Sequence, residues 1–233
     1  MRGRHALFLA TAALIVLLAA GLRFAHLDAQ SFWNDEGNTA RLVERTIPLI
    51  IEGAAGDIHP PGYYLALHGW RALTGETEYA LRAYSALCGI LTVAVAAAVG
   101  RQIGGRRTAL GAALVLAVHP LAVYYSQEAR MYAQLGLATA LTLWVGTRLI
   151  CTTSSRTFPR PRIVLGLGLA VGLGLYTHYA YGLALVGLNA AFFLAWLAAG
   201  RGRWRLFAGW TLGHLLGGLA EQVHGHDCLR LFG

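Results

Sequence analysis

Long apolar stretches alternate with short polar ones along most of the chain. Seven of the apolar stretches approach the roughly 20 residues that a helix needs to cross a bilayer. They cover residues 6–25, 83–100, 108–123, 131–147, 163–179, 180–199 and 207–220. The pattern predicts an all-α fold, a polytopic transmembrane helix bundle of about seven spans.

Composition supports a membrane protein, because 56% of the residues are hydrophobic and only 13% are charged. That is too little polar surface to cover a soluble globule of 233 residues. The formal net charge of +8 does not indicate nucleic acid, since the arginines lie in short clusters between apolar stretches. No nucleic-acid partner is expected.

The arginine clusters predict the orientation of the spans. With a cytoplasmic N-terminus, twelve of the nineteen arginines fall in inner segments and all eleven carboxylates fall in outer ones. This agrees with the positive-inside rule. The motifs that carry charge are therefore expected on the outer face.

The first outer loop, residues 26–82, is too long for a simple connection and contains apolar positions at helical spacing. It predicts short amphipathic helices that lie against the membrane surface. Pro48 is expected to interrupt or kink the first of these helices. A second helix is expected to begin at Pro60-Pro61 and to place Tyr63 and Tyr64 at the level of the lipid headgroups.

The remainder of the chain predicts one membrane domain, residues 1–220, followed by a polar tail, residues 221–233. The tail contains no further span, and we interpret it as a truncated or displaced end. Glycines recur every four residues at Gly168 and Gly172 and again at Gly209, Gly213 and Gly217, which predicts close helix packing in lipid. The three cysteines fall in different segments, so neither a disulfide nor a metal site is predicted.

Asp35 and Glu36 follow the first span and are expected close to the membrane surface. Adjacent residues of a helix do not share a face, so the two carboxylates are expected to have unequal roles. The alternative is that Asn34 or Asp35 caps the following helix, which is a common role for these residue types.

His59 precedes two prolines, which favour an extended backbone at the mouth of the next helix. The N-terminus of a helix attracts an anion. The alternative is an ordinary turn stiffened by proline.

Glu128 and Arg130 lie in the turn between the third and fourth spans, beside Tyr132. Charged groups at the edge of the hydrocarbon are costly unless they are paired or functional. The alternatives are a mutual ion pair or a contact with lipid headgroups. Arg82, at the outer start of the second span, could likewise extend to lipid phosphate.

The order of these motifs resembles that of membrane glycosyltransferases that use polyprenyl-phosphate sugars. The shared features are Asp35-Glu36 after the first span, His59-Pro60-Pro61 before a surface helix, and Arg130-Met131-Tyr132 after the third span. Similar families are the protein O-mannosyltransferases, the aminoarabinose transferases and the bacterial lipopolysaccharide glycosyltransferases of the GT-C superfamily. The resemblance covers about residues 6–144, and the later spans are similar only in hydropathy.

The resemblance implies that Asp35 is the catalytic base and that Glu36 supports it or contacts the acceptor. The aminoarabinose transferases have a lysine where His59 stands and an arginine where Asn38 stands, so Arg130 or Arg82 would supply the missing cation. The substrate-binding residues implied are His59, Arg82, Glu128, Arg130 and Tyr132.

The implied reaction is inverting transfer of a sugar from a polyprenyl-phosphate donor to an acceptor hydroxyl on the outer face of the plasma (inner) membrane. The acceptor would be a glycolipid, polysaccharide or protein, and neither a cofactor nor a metal is required. One alternative is a transporter fragment, although the interior of the spans offers mainly His119 and His214 as ionisable groups. Another is a non-catalytic remnant.

Overall fold

The computed structural model describes residues 2–57, 59–152, 158–198 and 204–231, and in this part the chain forms ten helices and no strand. The chain divides into two compact units, residues 1–137 and 138–233. The helices are α1 (Arg2–Phe24), α2 (Asn34–Val43), α3 (Ile47–Gly56), α4 (Gly62–Thr74), α5 (Glu78–Val118), α6 (Pro120–Ser126), α7 (Tyr132–Thr152), α8 (Pro161–Leu175), α9 (Tyr181–Ala198) and α10 (Trp204–Leu231). The all-α prediction is confirmed.

Three helices of the described residues are long and apolar enough to cross a membrane. They are Gly3–Phe24, Glu78–Val118 and Tyr132–Thr152. The chain is therefore a multi-pass membrane protein. The predicted spans after residue 160 correspond to α8, α9 and the first part of α10, and the side chains of the predicted tail, 221–233, lie outside the described residues.

The predicted second and third spans form the two arms of α5, which bends at Gly105. This residue has φ 79° and ψ −159°, a conformation that glycine adopts without steric cost. The arms approach closely, since a Cβ on Gly100 would lie 2.7 Å from the carbonyl oxygen of Thr108. Both arms pack against α1 in one apolar cluster, formed by Ile15, Ala19, Val93, Ala113 and Ala117.

The first loop folds into α2, α3 and α4 rather than into helices that only cover the membrane surface. Pro48 lies in the first turn of α3, after a break that begins at Val43. Tyr63 and Tyr64 are 0% and 1% exposed, so their predicted placement at the lipid headgroups is wrong. The reason is that α4 packs against α2 and α5 and uses its aromatic face as core.

The second unit is held by close packing of α8 on α10, as the spaced glycines predicted. A Cβ on Gly213 would lie 2.7 Å from the Leu167 side chain, and one on Gly217 would lie 2.7 Å from Val171. Small residues let the two backbones approach in this way. Inside the same unit, Trp210 stacks on Phe192 with ring centres 4.0 Å apart.

Candidate active site

The first turn of α2 carries Asp35 and Glu36, and these two side chains lie in different surroundings. The N-cap residue is Trp33, whose side chain makes no capping bond, so the alternative that Asn34 or Asp35 caps this helix is wrong. The Glu36 side chain is 1% exposed, whereas the Asp35 side chain is 41% exposed. One carboxylate is thus fixed in the interior and its neighbour is accessible.

Glu36 forms a buried, bidentate ion pair with Arg82 at the start of α5. Arg82 Nε donates to Glu36 Oε1 at 2.9 Å, and Arg82 Nη2 donates to Oε2 at 2.7 Å. Parallel hydrogen bonds between a guanidinium and a carboxylate fix both distance and orientation. The backbone N–H of Ala129 donates to Glu36 Oε1 at 2.7 Å, which fastens the turn after α6 to the same carboxylate.

Arg82 also binds the backbone of the segment between α1 and α2. Its Nη1 donates to the carbonyl oxygens of Leu27 at 2.6 Å and Gln30 at 2.8 Å, and its Nη2 donates to that of Ser31 at 3.4 Å. A guanidinium has five N–H donors, and here each has an acceptor. Arg82 therefore acts as a hub that ties α2, α5 and the preceding loop together.

Asp35 is held more loosely, by Arg130. The Nη2 atom of Arg130 lies 3.6 Å from Asp35 Oδ2, and Nη1 donates to the Asp35 carbonyl and to Thr39 Oγ1, both at 3.3 Å. Arg130 is 6% exposed, and its Nε has no hydrogen-bond partner among the described residues. A buried cation therefore lies beside an accessible carboxylate, and one N–H donor of the cation, Nε, is unpaired among the described residues.

A cavity of about 550 Å³ adjoins the Glu36–Arg82 pair. Glu128 lies on its wall and is 9% exposed. Burial raises the pKa of Glu128, and a hydrogen bond with Tyr124 opposes the rise. The remaining lining residues are Ala25, His26, Leu27, Ala29, Gln30, Trp33, Tyr124 and Gln127.

A second cavity, of about 350 Å³, adjoins Arg130 and is strongly cationic. Arg41, Arg45 and Arg130 line it together with one carboxylate, that of Asp57. The other lining residues are Asn38, Thr39, Leu42, Gly53 and Tyr64.

His59 reaches this second cavity through Asp57. Its Nδ1 donates to the Asp57 carbonyl oxygen at 2.6 Å and lies 3.3 Å from the Asp57 carboxylate. The predicted site residue next to the prolines is therefore in contact with a residue of the cavity wall.

Tyr132 lies elsewhere, in a third cavity of about 290 Å³ that it shares with Tyr125 and Arg23. Arg23, at the end of α1, is fully buried and donates to Ser126 Oγ at 3.2 Å and to the carbonyl oxygen of Leu116 at 3.1 Å. The sequence signal for this residue is a charge inside an apolar span.

The structure thus brings five of the seven predicted site residues together, namely Asp35, Glu36, Arg82, Glu128 and Arg130. Arg41, near the end of α2, and Arg45, just after it, were not predicted; they lie four positions apart, which is the spacing of one helix face. Among the described residues, no group of three or more His, Cys, Asp and Glu side chains could hold a metal ion.

Comparisons with known proteins give one family and one fold. A family model described as dolichyl-phosphate-mannose-protein mannosyltransferase matches residues 58–220. The solved S. cerevisiae protein O-mannosyltransferase Pmt1-Pmt2 complex bound to the sugar donor is similar over 93% of this chain, with a TM-score of 0.70 and 18% identity. This chain spans 33% of the length of that one. The curated proteins contain no match.

Proposed function

Because the chain belongs to the dolichyl-phosphate-mannose-protein mannosyltransferase family, we propose that it transfers a sugar from a polyprenyl-phosphate donor to an acceptor hydroxyl. Members of this family are glycosyltransferases. We place the reaction on the outer face of the plasma (inner) membrane, with a cytoplasmic N-terminus. The acceptor is a glycolipid, polysaccharide or protein.

The observation that carries the proposal is the contact between Asp35 and Arg130. An accessible carboxylate lies 3.6 Å from a buried guanidinium, and that guanidinium lines a cationic cavity. This combination provides a proton acceptor and an anion site side by side, as displacement of a lipid phosphate by an alcohol requires.

In the proposed step, Asp35 takes the proton of the acceptor hydroxyl as that oxygen forms a bond to the anomeric carbon. The bond between the anomeric carbon and the phosphate oxygen breaks, and the phosphate leaves with one additional negative charge. A single displacement inverts the anomeric centre, unlike the double displacement of retaining enzymes.

In this step we assign Arg130 to stabilise the negative charge first on Asp35 and then on the phosphate. At the start it faces the Asp35 carboxylate, and as Asp35 is neutralised by the proton, the negative charge appears on the departing phosphate. Donors that meet charge where it develops typically contribute about 3 kcal/mol each. His59, connected to the cavity through Asp57, is the second residue that we assign to stabilising the departing phosphate.

The remaining predicted residues have supporting roles in the proposal. Glu36 and Arg82 have a positioning role. Glu36 is next to Asp35 in the chain, and it binds both Arg82 and the backbone of the residue before Arg130. Glu128, on the wall of the larger cavity, accepts hydrogen bonds from sugar hydroxyls. Tyr132 is assigned to contact with the substrate lipid.

The test is a transfer assay on the intact chain in nanodiscs, with a lipid extract as the source of substrates and mass spectrometry of the products. Asp35→Asn is expected to reduce turnover about 10²- to 10⁴-fold, as loss of a general base does. Asp28→Asn, which changes an exposed carboxylate of the same loop, is the matched control and should leave turnover unchanged. Undiminished transfer by Asp35→Asn would remove this residue from the catalytic role.

The proposed orientation is tested separately by labelling. A membrane-impermeant maleimide added to intact cells should label Glu44→Cys, an exposed position directly after α2, above the background from the native cysteines. Labelling only after the cells are opened would place the loop in the cytosol and contradict the orientation.

A further inference from the structure

We propose that the larger cavity binds a sugar ring of the acceptor, so that the acceptor is a glycan, on a glycolipid or a polysaccharide, rather than a polypeptide. The inference rests on the proposed function, which leaves the class of acceptor open, and it assigns recognition of the acceptor to Trp33 and Glu128. Both residues line this cavity. Its volume of about 550 Å³ lies within the range of about 300–1,000 Å³ that is usual for small-ligand sites.

Glu128 is a buried charged group of this cavity with unused hydrogen-bond capacity. Glu36 and Arg82 also line it, but they bind each other, and every donor of Arg82 has an acceptor. Glu128 is 9% exposed, makes no ion pair with any described residue and receives a hydrogen bond from Tyr124. A carboxylate has about four acceptor positions, so several remain free for the hydroxyl groups of a ligand.

The same carboxylate costs the folded protein stability. Burial raises the pKa of Glu128, which means that its charged form is less favourable in the folded chain than in the unfolded chain. A group that opposes folding is expected at a functional site, where it serves binding. Sugar hydroxyls are suitable donors, because a hydroxyl forms a short and strong hydrogen bond to a carboxylate.

A second, independent observation is the indole ring of Trp33. It is 48% exposed, and it makes no ring contact or side-chain hydrogen bond with any other described residue. The face of an aromatic ring is electronegative, so it attracts the C–H groups on one face of a sugar ring. An aromatic face and a carboxylate on the wall of one cavity therefore match the apolar face and the hydroxyl groups of a sugar.

The wall of this cavity is less suited to a phosphate or a peptide. All donors of its arginine, Arg82, are occupied, so a phosphate would find no free guanidinium there. Peptides commonly bind at a free strand edge or in an apolar groove. The described residues form no strand, and the side chains of Glu36, Arg82 and Glu128 make this wall strongly polar. A neutral compound with many hydroxyl groups is the ligand class that the wall matches best.

The position of the cavity along the chain fits an acceptor. Trp33 and Glu36 line it, and Asp35 lies between them in the sequence, so the wall and the proposed base share about 4.5 Å of helix axis. Neither Asp35 nor Arg130 lines this cavity, and the leaving phosphate has its own cavity at Arg130. The larger cavity therefore holds an acceptor ring next to the one whose hydroxyl reacts at Asp35.

The first experiment measures binding to the full chain in nanodiscs by saturation-transfer-difference NMR. The probes are oligosaccharides released by mild acid from the membranes of the organism that carries the gene and, in a separate sample, tryptic peptides of the same membranes. We expect oligosaccharide signals with the wild type, no peptide signals, and weaker oligosaccharide signals with Glu128→Gln. Trp33→Ala should reduce the oligosaccharide signals about tenfold, as removal of a stacking ring does.

Two control variants accompany this measurement. Trp33→Phe keeps an aromatic face and should retain most of the oligosaccharide signal. Trp204→Ala changes an exposed tryptophan of α10 that lines none of the three cavities, and it should bind like the wild type.

A transfer assay distinguishes recognition of the acceptor from a structural role of Trp33. With the glycolipid and polysaccharide fractions as acceptors, Trp33→Ala should raise the acceptor KM about tenfold and change kcat less than about threefold. A tryptophan that only anchors the loop at the membrane interface would leave KM unchanged and lower the thermal unfolding temperature. Because Trp33 is half exposed, we expect the unfolding temperature of Trp33→Ala to equal that of the wild type.

The proposal is overturned if the oligosaccharides do not bind the wild type, or if they bind Trp33→Ala equally well. Peptide signals that disappear in Trp33→Ala would also overturn it and make the acceptor a polypeptide. Binding does not require transfer, so undiminished turnover of Asp35→Asn would refute the proposed function while leaving the binding result intact. Conversely, reduced turnover of Asp35→Asn without oligosaccharide binding would support that function and refute the glycan acceptor.

Discussion

Replacing Glu36 with glutamine tests whether the buried ion pair organises the site. The carboxylate is 1% exposed and accepts three hydrogen bonds, two from Arg82 and one from the Ala129 backbone. Removing one partner of a buried pair costs about 3–5 kcal/mol, because the other charge is left uncompensated. We expect about 3 kcal/mol for Glu36→Gln, since the amide oxygen still accepts one bond and Arg82 keeps its carbonyl acceptors.

The reverse change, Arg82→Gln, should cost more, about 5 kcal/mol. It leaves a buried carboxylate without a cation and also removes the donor from the carbonyl oxygens of Leu27, Gln30 and Ser31. For the same reason an apolar replacement of both residues should not restore stability, although such replacements are often neutral for buried pairs. Here the pair also satisfies backbone groups, and each unpaired buried group costs about 1–3 kcal/mol.

The assay is the free energy of unfolding from SDS titration in mixed micelles, followed by tryptophan fluorescence. The control is Glu76→Gln in the partly exposed Arg71–Glu76 pair, which should change stability by less than about 1 kcal/mol. In the double-mutant cycle of Glu36→Gln and Arg82→Gln, we expect a coupling energy of about 2–3 kcal/mol. The reasoning is refuted if Glu36→Gln costs no more than Glu76→Gln.

Two further predictions concern burial and packing. Because burial raises the pKa of Glu128, the folded state binds its proton more tightly than the unfolded state does, so stability falls as pH rises above the usual glutamate pKa of about 4.3. Glu128→Gln should therefore match the wild type at pH 4 and unfold at a higher temperature than the wild type at pH 7; a gap that narrows as pH rises would contradict this. Gly89→Ala should cost about 1–3 kcal/mol in the SDS titration, since its Cβ would overlap the Ser126 hydroxyl and lie 2.7 Å from Arg23 Nε. Gly111→Ala on the other arm of α5 meets open space and should be neutral or stabilising, and equal losses in the two variants would contradict the packing argument.

Continuous apolar stretches were sufficient to predict the long helices, because a span is a local property of about 20 residues. The short helix α6, which begins inside the third predicted span, was not predicted. The bend of α5 could be anticipated as a break between two apolar stretches, and Gly105 occupies it. The burial of Tyr63 and Tyr64 could not be anticipated, since an aromatic face looks the same whether it meets lipid or another helix. Only the packing of α4 on α2 and α5 distinguishes the two.

The residues of the site could be predicted from the sequence, but which carboxylate pairs with which arginine could not. Asp35, Glu36, Arg82 and Arg130 were all named from their positions between spans, but their separation along the chain gives no local signal of partner. Glu36 could have paired with either arginine on charge alone. The choice of Arg82 depends on the three carbonyl oxygens that the loop before α2 presents to it, which is a tertiary feature.

The two ion pairs of the site differ in a way that suits different tasks. Arg82 has an acceptor for every donor and holds Glu36 at 2.7 Å, so any change of partner there would break several bonds at once. Arg130 has an unpaired Nε and keeps 3.6 Å from Asp35, so this donor can bind a new anion without breaking an existing hydrogen bond. In a reaction that moves negative charge from a base to a leaving group, the cation that follows the charge must be the loosely held one. The rigid pair fixes where that cation starts, because Glu36 binds the backbone of the residue before Arg130.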